Sequence, residues 1–132
     1  MRFYHILFFQ FVIVVFQAKV VAQNSNYHQS VERRFDEGVE YLIKSNYSAA
    51  RKCFEDYISA DIGNSDRRAL AEYHRAYAAL HLYHNDGEYL MNQFLQQHLD
   101  HPKSLVANYD LGNFYYLENN YSKAIKYLLE AE

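Results

Sequence analysis

The chain has 132 residues, room for one modest domain. Half of them are hydrophobic, Gly and Pro number only 4 and 1, and 14 Tyr and 9 Phe accompany no Trp. So few turn formers exclude a turn-rich all-β fold, and a net charge of −3 without a basic tract argues against nucleic acid as a partner.

Residues 1–22 have the layout of a secretory signal peptide. Arg2 gives a positive start, Ile6 to Phe16 is apolar except for Gln10, and Val20-Val21-Ala22 offers small residues for cleavage after Ala22. The apolar run covers 11 residues, short of the ~20 that span a bilayer. Without Arg2 and Lys19 the remaining chain holds 11 basic and 16 acidic side chains, a net charge of −5. Residues 23–30 are polar and aperiodic and read as a disordered lead-in.

Helical patterning follows. Phe35, Gly38, Val39, Leu42 and Ile43 share one face of a first helix, which Ser45-Asn46 breaks. Ala49, Ala50, Cys53, Phe54, Tyr57 and Ile58 form the stripe of a second, and Asp61 to Asp66, around Gly63, is a loop by composition. Cys53 is the only cysteine, which rules out an intrachain disulfide or a thiolate cluster; it reads as a packing residue. A third helix is expected from Arg67 to Tyr83, with Leu70, Tyr73, Tyr77, Ala78, Leu80 and His81 at helical spacing. His84 to Gly87 turns into a fourth, carrying Leu90, Met91, Phe94, Leu95 and His98, with Pro102 beyond its end. The fifth spans Ser104 to Leu117, Asn119-Asn120 turns the chain, and the sixth is expected from Tyr121 to Glu132 without a stop signal.

One phrase occurs twice. Asn46-Tyr47-Ser48-Ala49-Ala50 is echoed by Asn120-Tyr121-Ser122-Lys123-Ala124, and Gly38 by Gly112, at the same offset of 74 residues. A shared offset in two separate features marks an internal repeat. Both Asn-Tyr-Ser triplets are glycosylation sequons, but they fall where helices turn. Asn46 and Asn120 suit turn geometry there, and Ser48 or Ser122 can satisfy the first amides of the next helix.

These helix pairs resemble the tetratricopeptide repeat. The third unit carries Leu111-Gly112, Tyr115, Tyr121, Ala124, Leu128 and Ala131 at the places the family pattern uses. The first carries Gly38, Tyr41, Tyr47, Ala50 and Phe54, and departs at Glu37 and at Tyr57, which stands where the family prefers alanine. The second matches at Tyr77-Ala78, Phe94 and Pro102 and departs at Leu90 and His81. The resemblance covers Val31 to Glu132 and implies an all-α fold of antiparallel helix hairpins stacked as an α-solenoid of about three repeats. The hairpins would span 31–64, 67–102 and 104–132, the last truncated, with the chain continuing as a longer array or self-associating through its last hairpin.

No phosphate loop, nucleophile elbow or H-E-x-x-H motif is present, so no catalytic residue is nominated and no enzyme is expected. His81 with His84, and His98 with His101, are each three apart and make metal binding a remote alternative; no metal site and no cofactor are assigned. The resemblance implies instead a protein or peptide partner on the concave face made by the first helix of each unit. That face would hold Phe35, Val39 and Leu42, then Arg75, Leu82 and Tyr83, then Tyr109, Asn113 and Tyr116. Signal, texture and repeats resemble exported repeat proteins of Bacteroidetes-type bacteria. This implies a periplasmic or outer-membrane-associated interaction scaffold, or else a structural subunit of an envelope assembly.

Overall fold

A computed structural model describes residues 26–60 and 65–132, so the signal-like segment and the centre of the Gly63 loop lie outside the described residues. The regular structure of the described residues is all helical, and they contain no strand. The elements are α1 (26–43), α2 (Tyr47–Ser59), α3 (Ser65–His81), α4 (Gly87–Gln97), α5 (Lys103–Leu117) and α6 (Tyr121–Leu129). None of these helices is long and apolar enough to cross a membrane.

Several boundaries differ from the sequence reading: α3 ends at His81 rather than Tyr83, α5 starts at Lys103 rather than Ser104, and three further ends shift. Residues 26–30 belong to α1 rather than to a disordered lead-in. All five are exposed, so they carry no apolar face for periodicity to detect, and the Ser30 hydroxyl donates to the Tyr27 carbonyl at 2.7 Å. Helix α3 already starts at Ser65 inside the expected loop, with Asp66 in its first turn, where a carboxylate complements the helix dipole. Helix α6 ends at Leu129 rather than running to Glu132.

Successive helices pair antiparallel. Glu32 and Gly38 of α1 meet Tyr57 and Phe54 of α2, Tyr73 of α3 meets Phe94 of α4, and Asn108 and Tyr115 of α5 meet Glu130 and Tyr127 at α6. Missing side chains let the backbones approach. A Cβ on Gly38 would lie 2.8 Å from the Phe54 ring, and one on Gly112 would lie 2.6 Å from Leu128. At Gly87 it would lie 2.9 Å from the backbone nitrogen of Leu80, which no rotamer change can relieve.

The three hairpin turns share one hydrogen-bond pattern. Ser45 N–H donates to Leu42 and Asn46 N–H to Tyr41; Tyr83 and His84 donate likewise to Leu80 and Ala79, and Asn119 and Asn120 to Tyr116 and Tyr115. This is the Schellman arrangement, with a left-handed residue closing the first helix. Ser45, Tyr83 and Asn119 take that role, at φ of 55°, 53° and 59°. The Asn46 and Asn120 side chains then accept from the amides of Ala49 and Lys123, so asparagine, and not Ser48 or Ser122, caps the following helix.

Three polar contacts that join neighbouring hairpins share one chain separation. Arg51 forms a bidentate pair with Asp86, Lys123 pairs with Glu88, and Tyr127 donates to Asn92, each across 35 residues. Two cores result. Val31, Phe35, Ala50, Phe54, Tyr57 and Ala71 join α1, α2 and α3, and a larger cluster centred on Tyr73, Met91, Phe94, Leu111 and Tyr127 joins α3 to α6. Helix α3 packs against α2, α4 and α5 and accordingly buries five alanines, whose small side chains fit between neighbours on several sides. Tyrosines bury their rings and reach polar partners with their hydroxyls: Tyr57 to Glu32 (3.3 Å), Tyr73 to Asp110 (2.7 Å) and Tyr127 to Asn92 (3.0 Å).

His74 lies between the cores, stacked on Phe54 at 5.2 Å, and burial followed by the nearby Lys103 charge pushes its imidazole down from 6.5 to about 4. The unfolded chain therefore binds this proton first on acidification. Stability from the neutral ring is complete above pH 6.5 and is lost as pH falls towards 4, by up to about 3 kcal/mol. In urea titrations, the stability gap between wild type and His74→Phe should shift by this amount in favour of the variant between pH 7 and 4.5; a constant gap would contradict it. In the same assay at neutral pH, Asn120→Ala should cost about 1 kcal/mol and Ser122→Ala under about 0.5 kcal/mol. Equal costs would remove the capping assignment.

Candidate functional site

Helices α3 and α5 run in the same direction: Tyr73 of α3 meets Asp110 of α5, and Tyr83, in the turn after α3, lies against Phe114 with ring centres 6.0 Å apart. Between them opens a cleft of about 450 Å3, within the range of ligand pockets. Tyr77, Leu80, His81 and Tyr83 form one wall; Tyr109, Asn113, Phe114, Tyr116 and Leu117 form the other, with Asp110 between them.

The aromatic walls are held from behind. His81 stacks on Tyr47 of α2 at 4.5 Å with nearly parallel rings and lies 4.3 Å from Tyr77. Burial lowers the His81 pKa, opposed by the charge of Asp110. Tyr116 is braced edge-on by Tyr121 at 5.7 Å. Tyr83, Tyr109 and Tyr116 remain more than half exposed, at 60%, 54% and 59%. Asp110 accepts the Tyr73 hydroxyl proton at 2.7 Å, and burial pushes its carboxyl up.

Tyr83 pays a conformational cost for its place. It is an aromatic residue in the left-handed region, where Ser45 and Asn119 stand in the other two turns. That conformation disfavours a bulky side chain by roughly 1–2 kcal/mol. Its ring gains only partial cover in return, so the turn sacrifices local stability to project a tyrosine over the cleft.

The expected face is only partly assembled. Tyr83, Tyr109, Asn113 and Tyr116 come together in the cleft. Phe35 does not: it is 8% exposed, packed edge-on against Phe54 and Tyr57 with the Arg67 guanidinium 4.4 Å from its ring centre. Val39 and Leu42 are half-buried against the same core. Arg75 lines a separate polar depression with Arg68, Glu72 and Gln93, and Leu82 is half-buried at the end of α3. Periodicity gives each helix a buried face but cannot tell which neighbour covers it. In the sequence, Tyr77 and His81 read as packing positions of the third helix, His81 also as a remote metal candidate, and Phe114 and Asp110 go unnamed, although Asp110 leaves a signal as the only charged residue between Lys103 and Glu118.

The histidine pairs are engaged elsewhere. His84 faces the Arg51 guanidinium at 2.7 Å, His98 meets Glu72 at 2.8 Å and His101 meets Asp66 at 3.4 Å. Among the described residues no group of three or more His, Cys, Asp or Glu side chains is arranged to hold a metal ion. No protein-family model, curated protein or solved structure matches the chain.

Relief of the left-handed strain makes a direct test. Tyr83→Asn should leave the urea midpoint unchanged or raise stability by up to about 1 kcal/mol, whereas Leu111→Ala should cost about 2–5 kcal/mol. A loss above about 1 kcal/mol for Tyr83→Asn would show that the ring, not the strain, dominates.

Proposed function

We propose that the chain is an exported, non-catalytic interaction scaffold of the tetratricopeptide-repeat type, binding a protein or peptide segment in the cleft between α3 and α5. The observation that carries this reading is the cleft itself: a cavity of about 450 Å3 walled by exposed tyrosines on α5 and in the turn after α3. Exposed aromatic rings are costly to leave in water and supply large contact area at low entropy cost, as binding hot spots do. The repeat reading draws support from the common turn geometry of three hairpins and from cross-hairpin contacts spaced by 35 residues. Export to the periplasm or outer membrane rests on the signal-like residues 1–22.

A second reading, a structural subunit of an envelope assembly, is favoured by one feature. Tyr121, Ile125 and Leu129 form an exposed apolar stripe on α6, whereas Met91 of α4 is fully buried. A random-peptide display selection on the exported form separates the two. Peptides enriched on the wild type should bind the Tyr109→Ala/Tyr116→Ala variant at least tenfold more weakly, with its circular dichroism and melting unchanged. Absence of any enriched peptide, or binding that ignores both substitutions, would overturn the cleft reading. An association seen by sedimentation and abolished by Ile125→Asp, but not by the tyrosine changes, would favour the assembly reading.

A further inference from the structure

We infer that the cleft selects a cationic side chain, with arginine the best fit, on the segment it binds. The inference rests on the peptide-binding reading above and adds the chemistry of the ligand.

The charge pattern of the cleft carries it. Among the described residues, Asp110 is the only acidic side chain that lines the cavity, and no Lys or Arg lines it. The Asp110 carboxylate has one hydrogen bond among the described residues, from the Tyr73 hydroxyl. A neutral donor orients the carboxylate without neutralising it. Lys103 of the same helix, 5.1 Å from the centre of the Tyr73 ring, and His81 in the cleft wall act on Asp110 through their charge, and neither is hydrogen-bonded to it among the described residues. A partly buried carboxylate is stabilised most by a paired cation that also hydrogen-bonds to it.

The walls point to the same ligand. Tyrosine ring faces are electron-rich and attract cations while disfavouring anions. Tyr77, Tyr83, Tyr109 and Tyr116 line the same cavity as Asp110. A guanidinium satisfies both features at once, because its flat face stacks on a ring while its edge donates to a carboxylate. An acidic segment or a free C-terminal carboxylate would instead meet a like charge. Asp110 does serve Tyr73 structurally, but an amide oxygen at the same place would do so equally well; only the charge calls for a cationic ligand.

That difference makes the test. Peptides selected from the display library on the wild type should carry Arg or Lys at one fixed register. Replacing that residue with citrulline, which keeps the shape and removes the charge, should weaken binding about tenfold. Asp110→Asn, which retains an acceptor for Tyr73, should abolish the difference between the arginine and citrulline peptides. Ligands lacking a cationic residue, or an undiminished citrulline peptide, would overturn the inference while leaving the peptide-binding reading standing. A library that enriches nothing would remove both. Should Asp110→Asn fail to fold, the arginine-to-citrulline comparison on the wild type decides alone.

Discussion

The distance between the two helices of each hairpin is the constraint from which the rest of this molecule follows. Where Gly38, Gly87 and Gly112 lack a side chain, a ring, a backbone or a leucine occupies the space. Close approach brings large residues of the opposing helix, such as Phe54 and Phe94, into full burial. At about 25 cal/mol per Å2 of apolar surface, that burial outweighs the backbone entropy penalty of a few interior glycines. Each hairpin thereby becomes a stiff unit, but one with an apolar outer face that it cannot cover by itself. Packing hairpin against hairpin covers it, and ion pairs and tyrosine hydroxyls at a separation of 35 residues set the register.

The cleft is a consequence of that register. Helices α3 and α5 are bridged by Tyr73 and Asp110 at one end and by the Tyr83 and Phe114 rings at the other, and the cleft lies between them. The same stacking that buries His74, and so ties folding to pH, leaves tyrosine rings facing one another across solvent nearby. Two features there run against stability: a tyrosine in the left-handed region and a partly buried carboxylate without a hydrogen-bonded cation. Both residues line the same cleft.

Much of the fold was legible in single residues. The six helices followed from apolar spacing, and two of the three turns from the repeated Asn-Tyr-Ser box, because capping and periodicity are local. The box misled about its own chemistry, since the serines suggested capping that the asparagines perform. The middle turn lacks the box yet has the same geometry around Tyr83, showing that the Schellman arrangement needs a left-handed residue and not a particular sequence. Residues 26–30 escaped notice because a fully exposed helix end has no apolar face to reveal it. Four of the nine nominated binding residues line the cleft, whereas Phe35, equally apolar and equally spaced, belongs to the core.

The sequence by itself determined an all-helical chain and where its helices begin to turn back. These depend on interactions within one or two helical turns, which composition and spacing record directly. Only the tertiary structure decided which apolar faces close on each other and which remain open as a cleft. An aromatic side chain has the same spacing and the same hydrophobicity in both situations. What distinguishes Tyr109 from Tyr73 is the presence of a neighbour contributed by a distant part of the chain, and that neighbour exists only once the hairpins have packed.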